Sequence, residues 1–101
     1  MFYIYIIYSE SADKYYVGHT NDPDRRLEEH NTVIKNNYTF KYRPWIRKAC
    51  FVVSESRGDA RKIENYIKRM KSRKLLERLI ENPKEFEGIA QLVRAIPTSR
   101  D

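Results

Sequence analysis

The opening run Phe2 to Tyr8 is aromatic or β-branched at every position. Side chains of that shape lose rotamer freedom in a helix and suit the pleated surface of a sheet, so the run is predicted to be a strand. It is also the longest apolar stretch in the chain, far short of the roughly 20 residues a helix needs to span a bilayer. It lacks the charged start and small-residue cleavage site of a secretory signal. No membrane partner is expected, and the location expected is cytoplasmic. A single cysteine, Cys50, lies within another apolar run and reads as a buried, reduced thiol.

Further elements follow from local chemistry. Lys14 to His19 is a second short strand, joined to the first by the polar loop Ser9–Asp13. That loop contains no glycine, so turn type does not set the register. Asp22-Pro23 is a helix start, a capping side chain followed by proline at the first helical position, and the helix runs to about Asn31. Residues 32–44 are polar and irregular, and Trp45 to Ser54 forms a third strand. A second helix begins near Ser56 or Asp59, with Ala60, Ile63, Ile67 and Met70 as its buried stripe. Ser72 caps a third helix carrying Leu75, Leu76, Leu79 and Ile80, and Pro83 marks the end of the core. The order strand, strand, helix, strand, helix, helix describes an α+β domain, a small sheet with helices packed on it. With 101 residues there is room for one such domain.

Charge is distributed unevenly. Residues 41–48 carry Lys41, Arg43, Arg47 and Lys48 with no acid, and Arg57 to Arg78 holds nine basic residues against Asp59, Glu64 and Glu77. Those stretches account for more than the whole net charge of +6. A concentrated basic surface of this kind points to a polyanionic partner.

Three groups of side chains carry chemistry. Alternation along the strands puts Phe2, Ile4 and Ile6 on one face, and Tyr3, Tyr5 and Ile7 on the other. In the second strand Tyr16 and Gly18 share a face opposite Tyr15 and Val17. With the aliphatic faces turned inward, Tyr5 and Tyr16 point to one exposed side, and Gly18 leaves a bare patch beside them for a water or a phosphate oxygen. On the first helix Arg26 and His30 are one turn apart on a single face. A guanidinium binds phosphate bidentately, and an imidazole exchanges protons near neutral pH. On the second helix Glu64 borders the apolar stripe, where a lone carboxylate suits Mg²⁺, which takes few protein ligands. Glu64 is also placed to pair with Lys68 at i+4. Cys50 has no evident activating base, His19 alternates inward, and no Cys/His metal cluster exists in the sequence.

Tyr3-Ile4-Tyr5, followed after a spacer by Tyr16-Val17-Gly18, resembles the paired signature of the GIY-YIG nuclease superfamily. The continuation His19-Thr20-Asn21-Asp22, then Arg25 through Asn31, is similar to its small stand-alone bacterial members, and Ala60 to Lys71 resembles their metal-binding helix. The first triplet departs from the signature by opening on Tyr3 rather than glycine. The resemblance implies a three-stranded antiparallel sheet flanked by helices, and phosphodiester hydrolysis with one divalent metal, Mg²⁺ or Mn²⁺. Tyr5, Tyr16, Arg26, His30 and Glu64 match its catalytic positions, Glu64 as the metal ligand. Asn82 is a poor match to a further asparagine that some members use. In the mechanism that follows, Arg26 stabilises the phosphate oxygens. A tyrosinate at Tyr5, or failing that Tyr16, takes a proton from water, its pKa lowered by Arg26, His30 and the metal. Gly18, Lys41, Arg43, Arg47, Lys48, Lys68, Arg73 and Lys74 are the expected nucleic-acid contacts, with DNA expected before RNA. The competing reading is a non-catalytic nucleic-acid-binding module on the same scaffold.

The resemblance supports a nuclease domain over residues 1–82, with 83–101 as a tail or short accessory helix. From about Glu87 the wording resembles a reading frame that runs on into a neighbouring transfer-RNA gene, which places the segment outside the core. As an amphipathic helix it would instead pack Ile89, Leu92, Val93 and Ile96 on the domain.

Overall fold

The computed structural model describes residues 1–32 and 41–95. Strands β1 (Phe2–Ser9), β2 (Lys14–Thr20) and β3 (Trp45–Ser54) form an antiparallel sheet in the order β2-β1-β3. The helices are α1 (Pro23–Asn31), α2 (Arg57–Met70), α3 (Arg73–Glu81) and α4 (Lys84–Ala95). The α+β class holds, with one helix more in the core than the first six elements.

The opening run becomes the central strand, and this explains why alternation in it is weak. Ile4, Tyr5, Ile6 and Ile7 are all buried, because helices cover both faces of the sheet. Ile4, Ile6, Val17, Phe51 and Val53 meet Ala60, Ile63 and Ile67 of α2 and Leu75 and Leu79 of α3. On the opposite face Tyr5, Ile7 and Trp45 pack with Tyr16, Leu27 and Tyr42 beneath α1. The β1–β2 turn is closed without glycine by Asp13, which takes the left-handed region at φ 54°. A short polar side chain tolerates that backbone, and the Tyr8 hydroxyl donates to its carboxylate at 2.6 Å. The register that results sets Tyr5 opposite Gly18 and Ile7 opposite Tyr16.

Caps fix the helix starts. Asp22 accepts from the Arg25 N–H, Ser56 from Asp59 and Ser72 from Leu75. The end of α1 is tied to β3 by Asn31, whose amide donates to the Trp45 carbonyl at 3.0 Å and accepts from its N–H at 2.6 Å.

Four expectations need correction. Met70 is exposed, since α2 has passed the sheet at its last turn. Cys50 is exposed on the edge strand β3. The core does not end at Pro83: α4 follows it, and Phe86, Ala90 and Val93 are buried in the main cluster. Phe86 stacks on Phe51 with ring centroids 4.3 Å apart, and Arg94 donates to the Val53 carbonyl. The buried stripe of α4 is therefore Phe86, Ala90 and Val93 with Ile89 at its margin, while Leu92 is exposed. Ile96 and most of the irregular stretch 32–44 lie outside the described residues.

Candidate active site

The side chains singled out in the sequence come together at the β2 side of the sheet. Pairing of Tyr5 with Gly18 sets the phenol directly over the glycine: a Cβ added there would lie 2.3 Å from the Tyr5 oxygen. The bare patch expected beside Gly18 is thus filled by Tyr5 itself, and Gly18 shapes the site instead of leaving a surface open to a ligand. Tyr5 is also not on an exposed side. It is 3 % exposed, because α1 roofs this face, whereas Tyr16 on the edge strand is half-buried.

Helix α1 brings Arg26 and His30 over Tyr5, as their one-turn spacing allows. The Tyr5 hydroxyl and His30 Nε2 are 2.8 Å apart, a bond whose donor depends on the imidazole tautomer. The charge of Arg26 bears on the Tyr5 hydroxyl, and its guanidinium donates to Glu29 at 2.9 Å. Tyr16 completes an aromatic group, its ring centroid 6.4 Å from Tyr5 and 5.1 Å, edge-on, from His30.

Electrostatics in this group run against a resting tyrosinate. Burial pushes the Tyr5 phenol well above its ordinary value, and the lowering by Arg26 offsets only part of that. Tyr16 and Glu64 push it up further. His30 is held down to about 4 by burial and then by repulsion from Arg26. It is therefore neutral at physiological pH and contributes no positive charge. Arg26 lowers the Tyr5 pKa as expected, whereas His30 adds no charge, and desolvation outweighs the lowering by Arg26.

Glu64 approaches from the other face of the sheet on α2. One carboxylate oxygen contacts His19 Nδ1 and the other accepts from Lys68 Nζ at 2.6 Å. Lys68 in turn lies 5.1 Å above the Tyr16 ring, linking the carboxylate to the tyrosine group. His19 does turn inward, opposite Ile4, yet the inward side there holds Glu64. Its place one residue beyond Gly18, on the face that α2 covers, was the signal that could have found it.

The remaining basic residues do not form one strip. Arg47 turns to Asp24 at the start of α1, at 2.8 Å, while Lys48 lies beside Glu77 and Glu81 of α3. Lys41 and Arg43 are exposed ahead of β3. Arg73 is bound to Asp13 at 2.7 Å and Glu77 at 3.2 Å and covers the Tyr15 ring. Lys74 is exposed on α3. Asn82 caps the end of α3, bonding Arg78 and Glu85 through its backbone. Among the described residues no group of three or more His, Cys, Asp or Glu is placed to hold a metal, and no helix is long and apolar enough to cross a membrane.

Comparison with known proteins agrees with this geometry. The family model described as the GIY-YIG catalytic domain matches residues 1–77. The chain is similar to the UPF0213 protein lwe0147 of Listeria welshimeri, with 35% identity over 75 residues, covering 74% of this chain and 82% of the relative. No solved structure gives a significant match. The match spans all three strands, α1 and α2, and the chain belongs to the GIY-YIG family, whose domain is of nuclease type and implies nucleic-acid binding.

Proposed function

We propose that this protein is a metal-dependent endonuclease that hydrolyses phosphodiester bonds of nucleic acid, DNA before RNA. The observation that most supports the reading is the convergence on the Tyr5 hydroxyl. His30 bonds it from α1, and the charges of Arg26 on α1 and of Glu64 on α2 bear on it. A packing role alone needs no such meeting of a guanidinium, an imidazole and a carboxylate around one phenol.

GIY-YIG nucleases generally use a divalent metal, and the donor set here fits one. Glu64 has a cationic ammonium on one oxygen and an imidazole on the other, so it is already placed to hold positive charge. A single carboxylate suits Mg²⁺ or Mn²⁺, which complete their shells with water and phosphate oxygens. When bound, the metal neutralises charge on the phosphate and on the leaving oxygen. Arg26 is about one-third exposed, 34%, and offers its guanidinium to the non-bridging oxygens as charge builds on them. Burial keeps Tyr5 neutral, so its part is to position Arg26 and His30. Tyr16 is the phenol that water can reach, and as a tyrosinate that has given up its own proton to solvent it takes the proton of the attacking water.

The second reading, a binding module without turnover, draws on the engagement of both Glu64 oxygens by His19 and Lys68. A Mg²⁺-dependent cleavage assay on duplex, branched and single-stranded DNA and RNA separates the two. The wild type is expected to cut, chelation to stop it, and Glu64→Gln to abolish cutting while binding persists on the basic residues. Full activity in Glu64→Gln removes Glu64 from the mechanism. Salt-sensitive binding with no cleavage of any substrate identifies the module.

A further inference from the structure

A groove of about 390 Å³ runs between β2 and the junction of α2 with α3. It shares Tyr16 and Lys68 with the site above, so it opens directly from that site. Its composition is two-sided. Val17, Ile67 and Leu76 give it an apolar floor beside the Tyr15 and Tyr16 rings, while Lys14, Lys68, Lys71 and Arg73 stand around it. The one acid among the lining residues, Asp13, is taken up by Arg73 at 2.7 Å. Lys71 makes no ion pair among the described residues, so its charge faces the groove without a protein carboxylate to satisfy it.

An apolar floor edged by the Lys71 ammonium matches a ligand with a flat hydrophobic part and an anionic part. A nucleotide has that pairing, and the groove falls in the size range of clefts that enclose small ligands, roughly 300–1,000 Å³. A paired base keeps its faces stacked within the duplex and presents only backbone to such a groove. An unpaired nucleotide offers both its base and its phosphate. We propose that the groove is a subsite for one unpaired nucleotide flanking the cleaved phosphate, with the base on the Val17–Ile67–Leu76 floor and the phosphate held by Lys71. The inference rests on the nuclease reading and adds a substrate class to it: nucleic acid with a single-stranded segment beside the scissile bond.

The test is a comparison of two labelled probes, binding to the full chain in the presence of a chelator, followed by fluorescence anisotropy. One probe is a blunt DNA duplex, and the other is the same duplex with an unpaired thymidine overhang. One stacked base contributes about 1–3 kcal/mol, so the wild type is expected to prefer the overhang probe by about tenfold. Lys71→Asn is expected to lower that ratio severalfold; asparagine tolerates the left-handed backbone that Lys71 adopts at φ 48°. Lys84→Glu, exposed on α4 and outside the groove, is expected to weaken both probes alike and keep the ratio. No overhang preference in the wild type, or an unchanged ratio in Lys71→Asn, overturns the subsite and leaves the nuclease reading standing. So does a ratio that collapses equally in Lys84→Glu. If neither probe binds and no substrate is cut with Mg²⁺, the nuclease reading itself fails, and the subsite with it.

Discussion

Acidification is expected to destabilise this protein through one imidazole, and the size of the effect follows from where His30 sits. The ring is 1 % exposed, and burial, with repulsion from Arg26, holds its pKa at about 4 against an ordinary 6.5. Unfolding releases the ring to water and restores the ordinary value. Because the folded pKa is the lower of the two, the unfolded chain binds the proton first as pH falls. Stability from this group is therefore complete above about pH 6.5 and is lost progressively down to about pH 4. At pH 5 the unfolded imidazole is almost fully charged while the buried one is still neutral. A gap of about 1.5 pH units at about 1.36 kcal/mol per unit gives a loss of about 2 kcal/mol relative to neutral pH. In a domain of this size that lowers Tm by roughly 10 °C. His30→Gln keeps a polar group near the Tyr5 hydroxyl but cannot titrate. Thermal and urea unfolding of both proteins at pH 7 and pH 5 measures the difference. The variant is expected to lose about 2 kcal/mol less than the wild type over that interval. An equal loss in the two proteins would refute the placement of His30 as a buried neutral imidazole.

Gly18→Ala is expected to destabilise the fold by about 1–3 kcal/mol, since the new Cβ meets the Tyr5 ring and the ring must shift. It should cut turnover more than that loss explains, and unchanged melting and cleavage would mean that Tyr5 is not seated over residue 18. Arg26→Ala is expected to lower kcat by about 100-fold or more, as the loss of one transition-state donor does. Arg25→Ala is expected to change kcat by only a few-fold, because Arg25 points to Asn21 at the helix start. Equal effects of the two substitutions would show that the wrong arginine has been assigned. Phe86→Ala is expected to cost about 3–5 kcal/mol in urea unfolding, from the lost stack on Phe51 and the cavity left behind. A loss below about 1 kcal/mol would mean that α4 is not part of the core.

Much of the frame was legible because it depends on neighbours in the chain. The apolar run Phe2–Tyr8 commits to a strand by side-chain shape, and Asp22-Pro23, Ser56 and Ser72 set helix starts through caps that reach only three residues. Helical spacing alone put Arg26 and His30 on one face, and strand alternation put Tyr5, Tyr16 and Gly18 on another. What stayed hidden depends on the sum of contacts through space. That neither face of β1 is wet is decided by α1 lying over Tyr5, and that burial, not the sequence spacing, makes the phenol and the imidazole neutral. The partner of His19 comes from a helix 45 residues on. The buried stripe of α4 begins at Phe86, just past a proline that reads as an end, because a surface for it exists only once β3 lies against α2 and α3. Local stereochemistry wrote the elements into the sequence, while desolvation and the pairing of distant charges, which no local window contains, were decided by the tertiary structure.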